Sequence, residues 1–323
     1  MSARGEMKKT ACVTGGNGYI ASALIKMLLE KGYAVKTTVR NPDDRAKNSH
    51  LKDLQELGPL EVFRADLDDE GSFDDAIAGC DYAFLVAAPV NLASENPEKE
   101  LIELGVQGTL NVMRSCVKAG TVKRIILTAS SSGRICKATG TSWTRSPGPT
   151  FCSEIPNVPV LKQNADGSRA SQAYPVSKVL LEEASRFAAE HGISLVTVLP
   201  VVTVGAAPAR QIHTSVPGCL SLLSGDEAAF GALRAMDASG VVALVHVDDL
   251  CRAEVFVAEE RRRTRRQYTV NTSLLTGDLL EKLRVRLSSA MLVREGFEYK
   301  YKTLDGMYDD MIDYGKALGI LPN

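Results

Sequence analysis

A chain of 323 residues, of which 45% are apolar and 24% charged, can bury a substantial core in one large domain or two closely joined ones. Its formal net charge of −1 gives no bulk electrostatic reason to expect nucleic acid or an anionic membrane as a partner, so we expect neither. The N-terminal stretch has no apolar core of the signal-peptide kind. No run approaches the roughly 18 apolar residues that a membrane span needs, which predicts a cytoplasmic protein.

Cysteines and histidines indicate neither a disulfide framework nor a metal site. The seven cysteines are scattered, their number is odd, and no two have CxxC spacing, which is typical of free thiols in a reducing compartment. The four histidines form no HExxH or similar pair. We therefore expect no metal.

The first half of the chain alternates between apolar, β-rich runs and helical stretches. Apolar runs without period-two alternation are typical of strands buried on both faces, and strand–helix–strand repetition predicts a parallel sheet. The expected fold is therefore α/β, a doubly wound, Rossmann-like parallel sheet. The predicted strands are TACVTG, AVKTTV, LEVFRAD, YAFLVA and RIILTAS.

A glycine-rich loop follows the first strand and opens an amphipathic helix. Gly15 allows a tight turn, Gly18 lets a pyrophosphate approach the backbone, and Ala21 lets the helix pack close to the strand. Glycines alone also mark plain turns, but strand, loop and helix in this order favour dinucleotide binding. The predicted cofactor loop comprises Gly15, Gly16, Asn17, Gly18, Tyr19 and Ile20.

The second strand ends at an arginine. NAD-selecting folds tend to place an acid near this position to hold the ribose 2′-hydroxyl, whereas an arginine can bind a 2′-phosphate through two parallel hydrogen bonds. Arg40 therefore favours NADP(H), and Lys47 could add a second positive charge. Either side chain could instead be an ordinary surface cation.

Asp66 and Leu67 close the third strand, at the position that lies beside the adenine in this fold. The Asp66 carboxylate could accept a hydrogen bond from the adenine amine. It could equally cap the following helix, and the sequence leaves both alternatives open.

The fifth strand ends in hydroxyl side chains, and a tyrosine and a lysine follow on a predicted helix. Thr128, Ser130, Ser131 and Ser132 are candidates to orient a substrate oxygen, or turn-forming residues. After a Pro-, Gly- and Ser-rich loop at about 132–170, a helix is predicted at about 172–190. Tyr174 and Lys178, four residues apart, would lie on one face of it. A nearby lysine charge lowers the pKa of a tyrosine, so the pair can supply a proton to a carbonyl.

The remaining chain predicts a smaller, mixed lobe. We divide the chain into a cofactor domain, 1–200, and a substrate lobe, 201–323, with part of the sheet and helix layer returning to the first domain. The basic block RRRTRR at 261–266 is interpreted as a solvated turn between a helix and a strand, or as a contact for an anionic ligand. The strand SLVTVLP ends the first domain at Pro200, and the elements predicted after it are helices near 216–224 and 226–236, the strand VVALVHV and a helix from 248 to about 260.

These motifs together resemble the extended short-chain dehydrogenases/reductases, and within them the plant dihydroflavonol reductase and anthocyanidin reductase group. The similarity covers nearly the whole chain, and TGGNGY and GSFDDAIAGCD are closer to the anthocyanidin reductases. It is carried also by LLEKGYAVKTTVRNPDD, YPVSK, HVDDLCRAEVFVAEE and REGFEYKYKTLDGMYDDMIDYGKALGIL.

The resemblance implies roles for individual residues. It implies Ser130, Tyr174 and Lys178 as catalytic residues, and Arg40 and Lys47 as 2′-phosphate contacts. It implies cofactor contacts at Val86, Ala87 and Ala88 after the fourth strand, and at Pro200 beside the nicotinamide.

The resemblance also implies a function: NADPH-dependent reduction of an anthocyanidin to a flavan-3-ol. The alternatives are a dihydroflavonol 4-reductase, or a homologue that binds NADP(H) without turnover. The oligomeric state, the exact flavonoid and the product stereochemistry stay open.

Three departures from the family's usual sequence bear on the substrate side. The family usually has HVATP where this chain has LVAAP from Leu85, which removes a threonine hydroxyl at Ala88. Arg134 stands in a segment that is usually small and apolar, and the stretch at 280–287 is shorter than usual.

Overall fold

A computed structural model describes residues 8–88, 104–130, 173–210, 215–238, 243–260, 266–271 and 288–322. Its strands are β1 (Thr10–Thr14), β2 (Ala34–Val39), β3 (Leu60–Arg64), β4 (Tyr82–Leu85), β5 (Arg124–Thr128), β6 (Leu195–Pro200), β7 (Val202–Val204), β8 (Leu244–His246) and β9 (Arg266–Val270).

The four helices predicted with bounds, at about 172–190, near 216–224, near 226–236 and from 248 to about 260, lie within a few residues of those positions. The helices of the structure are α1 (Tyr19–Glu30), α2 (Arg45–Leu54), α3 (Asp74–Ile77), α4 (Leu104–Ala119), α5 (Ala173–Glu190), α6 (Ser215–Ser224), α7 (Glu227–Ala238), α8 (Val247–Glu259), α9 (Ala290–Arg294) and α10 (Leu304–Ala317).

Seven strands form one parallel sheet in the order β3-β2-β1-β4-β5-β6-β9. The predicted doubly wound, Rossmann-like fold is confirmed. The chain order reverses between β1 and β4, which are direct neighbours with Cys12 opposite Ala83. In such sheets ligands bind outside the carboxyl ends of the strands at this reversal point. The fold therefore directs attention to the residues that follow β1, β4 and β5.

Two apolar layers cover the two faces of the sheet. One face packs against α1 and α8, and its core contains Leu24, Ile126 and Val198. The other packs against α3, α4 and α5, and contains Leu85 and Met113. Because β4, β5 and β6 are buried on both faces, their sequences are mostly apolar and do not alternate between apolar and polar residues. The same pattern allowed these strands to be predicted.

The chain after residue 200 contributes both to the seven-stranded sheet and to a second, smaller sheet. β7 and β8 form a separate two-stranded parallel sheet, with a third apolar cluster beneath α6 and α10. β9 instead joins the edge of the main sheet beside β6, and α8 packs on its face. β9 follows the basic block RRRTRR, of which residues 261–265 lie outside the described ranges.

Within the described ranges, no helix combines the length and apolar character that crossing a lipid bilayer requires. The five cysteines in these ranges are buried free thiols: Cys12, Cys80, Cys116, Cys219 and Cys251.

Candidate functional site

The glycine loop forms a tight turn that leads directly into α1. Gly15 has φ +74°, in the left-handed region that favours glycine, and its carbonyl accepts a hydrogen bond from the Gly18 amide at 2.8 Å. Gly18 is the N-cap of α1 and provides no side-chain cap. The first-turn amides of a helix lack intrahelical acceptors, so the start of α1 fits the pyrophosphate of a dinucleotide.

Close packing, as well as ligand access, explains why glycine is required at positions 15 and 16. A Cβ on Gly15 would lie 3.1 Å from the Cβ of Ala87, after β4. A Cβ on Gly16 would lie 2.3 Å from the Thr37 hydroxyl oxygen, which cannot easily turn away because it donates to the Val13 carbonyl at 2.7 Å. The loop is therefore held tightly against both β2 and the end of β4.

Thr14, which the sequence interpretation did not single out, joins the end of β1 to the end of β4. Its hydroxyl oxygen accepts hydrogen bonds from the amides of Val86 and Ala87, each at 3.0 Å. The predicted cofactor segment Val86–Ala88 is therefore fixed beside the glycine loop, and Ala88 is exposed at its end.

Replacing Thr14 tests this connection. Thr14→Val keeps the size of the side chain but leaves the amides of Val86 and Ala87 without an acceptor. Because an unsatisfied buried amide destabilises by about 1–3 kcal/mol, we expect the free energy of unfolding to fall by about 2 kcal/mol, measured by urea denaturation. Thr14→Ser keeps the hydroxyl, so its free energy of unfolding should stay close to that of the wild type. An unchanged urea midpoint in the valine variant would contradict the role of Thr14.

His50 is a second residue that the sequence interpretation missed. It is 3% exposed on α2, and its Nε2 lies 3.2 Å from the Gly16 carbonyl oxygen. Burial lowers the pKa of His50, against a smaller opposing effect of this bond, so the neutral ring donates its Nε2 proton to the carbonyl. A lone histidine beside the apolar positions Leu51 and Leu54 resembles an ordinary core residue, which is why sequence alone did not identify it.

The two predicted phosphate contacts lie on the segment that joins β2 to α2. Arg40 directly follows β2 and is exposed, with no hydrogen bond or ion pair to any residue in the described ranges. Lys47 is exposed in the first turn of α2 and forms an ion pair with Asp44, the N-cap residue, at 3.6 Å. Arg40 thus offers an exposed guanidinium directly beyond the end of β2.

Asp66 and Leu67 lie at the carboxyl end of β3. An Asp66 carboxylate oxygen accepts from the Asp68 amide at 3.3 Å, which is a local turn contact. The Leu67 carbonyl accepts from the Asn111 amide group at 2.9 Å, and Leu67 packs closely on Gly108 of α4. Asp66 caps the turn that follows β3, and Leu67 is held firmly against the helix layer.

The predicted catalytic residues lie on neighbouring elements. Ser130 follows β5 by two residues, and the preceding amide of Ala129 donates to the Val198 carbonyl of β6 at 2.9 Å. Tyr174 and Lys178 are one turn apart in the first turns of α5. Their side chains lie outside the described part of the structure, as do Ser131, Ser132, Arg134 and the stretch at 280–287. The predicted grouping of Ser130, Tyr174 and Lys178 therefore stays a prediction.

Residues 205–209, which the sequence interpretation did not single out, are held between α1 and α10. From α1, the Tyr19 hydroxyl donates to the Gly205 carbonyl at 2.7 Å. From α10, Asp310 accepts from the Ala206 amide at 2.6 Å and the Tyr314 hydroxyl donates to the Ala209 carbonyl at 2.7 Å. Pro200, the last residue of β6, is buried just before this segment.

His246 completes the attachment of this segment. Its Nδ1 accepts from the Asp248 amide as the N-cap of α8, which leaves the proton on Nε2 for Asp310 at 2.9 Å. The bond to His246 is the main reason why the pKa of Asp310 is lowered. The ring also stacks on Tyr301, with centroids 3.5 Å apart. These contacts connect the C-terminal helix to the segment after β6.

A buried acid lies beneath the end of β5. Glu254 on α8 is fully buried, and its Oε1 accepts a hydrogen bond from the Thr128 hydroxyl at 2.5 Å. Burial raises the pKa of Glu254 to about 7, and the bond from Thr128 opposes this only partly. Its carboxyl group therefore titrates near neutral pH.

This titration has a consequence for stability. Because the pKa of Glu254 is higher in the folded than in the unfolded chain, its contribution to stability is complete below pH 4.5 and is lost as the pH rises to about 7. This rise in the pKa of Glu254 corresponds to about 3 kcal/mol in the free energy of unfolding. As the pH rises from 4.5 to about 7, we expect the free energy of unfolding of Glu254→Gln to increase by about 3 kcal/mol relative to that of the wild type. Denaturant unfolding measured across this pH range gives both values. If the free energies of unfolding of the two proteins differed by the same amount at every pH, the raised pKa of Glu254 would be contradicted.

Comparison with known proteins agrees with this architecture. The sequence profile of the NAD dependent epimerase/dehydratase family matches residues 11–272. An anthocyanidin reductase ((2S)-flavan-3-ol-forming) from Vitis vinifera is 41% identical over 341 residues, covering 98% of each chain. A dihydroflavonol 4-reductase from Zea mays is 34% identical, covering 98% of this chain and 90% of that protein.

A solved structure extends the agreement to three dimensions. The crystal structure of vestitone reductase from alfalfa (Medicago sativa) superposes with a TM-score of 0.69 at 25% identity, covering 97% of this chain and 100% of that one. The resemblance to the plant anthocyanidin reductase and dihydroflavonol reductase group is confirmed over the whole length. The glycine loop at the reversal point of the sheet, the matching profile and these relatives together place the chain in the NAD dependent epimerase/dehydratase family.

Proposed function

We propose that the protein is an NADPH-dependent flavonoid reductase that converts an anthocyanidin to a flavan-3-ol. The observation that carries the proposal is the similarity to the Vitis vinifera anthocyanidin reductase, at 41% identity over 98% of both chains. An alignment of this extent includes the glycine loop, the strand ends and the lobe after residue 200. The more distant dihydroflavonol 4-reductase defines the alternative substrate, a ketone instead of a flavylium cation.

The cofactor is NADPH, held at the carboxyl edge of the sheet. Gly15–Ile20 bind its pyrophosphate at the start of α1, where no side chain caps the helix. Arg40, exposed and without a partner in the described ranges, binds the 2′-phosphate, with Lys47 nearby. Asp66 and Leu67 would lie beside the adenine, Val86–Ala88 would run under the cofactor, and Pro200 would lie beside the nicotinamide. When bound, the reduced nicotinamide supplies hydride.

The chain itself supplies orientation and a proton. Ser130, at the end of β5, hydrogen-bonds the substrate oxygen. Tyr174 donates a proton through its phenol, and the charge of Lys178 one turn away lowers the pKa of that phenol. A flavylium substrate already carries a positive charge, so it depends less on proton donation at the first step than a ketone does.

The substrate lies between the two lobes. From the sequence we predict that the stretch at 132–170, outside the described ranges, and the chain after residue 200 contribute to its pocket, whereas 1–200 hold the cofactor. Residues 205–209 are hydrogen-bonded to both α1 and α10. These bonds hold the lobe at 201–323 against α1, which supports this division.

The number of NADPH molecules oxidised per product tests the proposal. Reduction of an anthocyanidin cation to a flavan-3-ol needs two hydrides and one proton by atom and charge balance, whereas reduction of a dihydroflavonol ketone needs one hydride and one proton. We expect the purified protein to oxidise two NADPH per flavan-3-ol, followed by NADPH absorbance and product chromatography. One NADPH per product, with a dihydroflavonol alone accepted, would identify the alternative. Binding of NADPH without turnover of either substrate would contradict a reductase.

A further inference from the structure

Glu254 makes one contact that an apolar core residue could not make. It lies on the face of α8 that packs against β5 and β6, among the apolar side chains of that core. One carboxyl oxygen accepts from Thr128, and the other is buried without a hydrogen-bond partner among the described residues. A buried polar atom without a partner is destabilising, and such groups are uncommon in folded proteins. Packing alone therefore gives no reason for an acid here.

The contact lies at the functional end of β5. Thr128 is the last residue of the strand, and Ser130 follows two residues later. Among the described residues, the Ala129 amide extends the β5–β6 pairing one residue beyond Thr128 by donating to the Val198 carbonyl. Ser130 follows directly, so the way in which this strand end is held contributes to its position.

The other end of β5 is anchored to the same helix. Arg124, the first residue of the strand, donates to the carbonyls of Val257 and Glu260 at the end of α8, each at 2.6 Å. Strand and helix therefore run antiparallel, with polar contacts between them at both ends of the strand. Arg124 holds one end of β5 against α8, and the Thr128–Glu254 bond holds the other end against the same helix, in addition to the backbone pairing with β6.

We propose that Glu254 is a positioning residue for the reaction, which holds the carboxyl end of β5 through Thr128 and thereby places Ser130 against the substrate. This inference rests on the proposed function only in assigning Ser130 to the substrate. The bond itself fixes the strand end whatever the substrate is.

Paired substitutions at the two partners test the role. Thr128→Val keeps the shape of the side chain but removes the donor, and Glu254→Leu removes the acceptor. Since small displacements of catalytic groups can reduce rates strongly, we expect each variant to lower kcat about tenfold, with KM for NADPH within about twofold of wild type. The double variant should be no worse than either single one, because both remove the same bond. Thr128→Ser and Glu254→Gln keep a hydroxyl donor and an oxygen acceptor and should retain most of kcat.

Amide hydrogen exchange at Ala129 provides a readout that does not depend on turnover. We expect Thr128→Val to accelerate exchange of the Ala129 amide at least tenfold while Ile126, in the middle of β5, keeps its protection. Unchanged Ala129 protection in the valine variant would overturn the inference, whether or not kcat falls. Absence of turnover in the wild-type protein would instead remove the proposed function, and the exchange data would still decide the positioning role. Should Glu254→Leu fail to fold, the near-isosteric Thr128→Val and its serine control suffice.

Discussion

Tyr174→Phe should lower kcat by about 10²- to 10⁴-fold, because it removes the phenolic proton and leaves the ring in place. Tyr174 lies in the first turn of α5, after the fifth strand, and Lys178 follows one turn later. The loss should be greater with a dihydroflavonol ketone than with an anthocyanidin cation, since carbonyl reduction needs the proton in its rate-determining step. Steady-state NADPH oxidation with both substrates measures the two losses.

Tyr82→Phe is the matched control for this variant. Tyr82 begins β4, at the amino edge of the sheet and opposite the edge where the cofactor is expected. Its hydroxyl should be dispensable for turnover. If Tyr174→Phe retains wild-type kcat on both substrates while Tyr82→Phe does the same, Tyr174 is not the acid.

Arg40→Glu should weaken NADPH binding about 100-fold and leave NADH binding nearly unchanged. Arg40 lies directly beyond β2, exposed and without a partner in the part of the chain that the structure describes. A bidentate guanidinium–phosphate contact stabilises binding by about 3 kcal/mol, which corresponds to a factor of about 100. The glutamate would also repel the phosphate. Titration of each nucleotide by fluorescence gives the two dissociation constants.

Lys52→Glu makes the same change of charge on the last turn of α2, away from the end of β2. It should reduce NADPH affinity less than about threefold, through the general field alone. If the Arg40 and Lys52 variants lost the same amount of NADPH affinity, Arg40 would act only through the overall charge of the protein. Equal losses for NADPH and NADH in Arg40→Glu would show that it does not touch the 2′-phosphate.

The strands β1 to β6 and β8, the helices α5 to α8 and the glycine loop could be predicted because each is encoded locally, whereas β7 and the bounds of β9 were not predicted. A strand buried on both faces is mostly apolar without alternation, as RIILT and LVTVLP are, and a helix must repeat its apolar face every three to four residues. Gly15 is needed where the backbone turns into the left-handed region, so it too is visible in the sequence. The alternation of these elements was sufficient to predict the parallel sheet.

Long-range contacts could not be predicted in this way. Thr14 bonds to amides more than 70 residues away, and His50 bonds to the Gly16 carbonyl from another element. Nothing in the local sequence of either residue distinguishes it from ordinary core. β9 reaches the sheet edge only through its pairing with β6, and residues 205–209 acquire their place from α1 and α10.

The sequence by itself determined the alternation of strands and helices in the first half of the chain, the loop that begins α1 and the cation that follows β2. Only the tertiary structure decided which polar groups meet, and Glu254 shows why. Its position on α8 has helical spacing like its neighbours, but whether a carboxyl group there is solvated, paired or isolated depends on which strand end lies against it. Local patterns depend on backbone geometry within a few residues, whereas the partner of a buried polar group is chosen by the packing of distant segments.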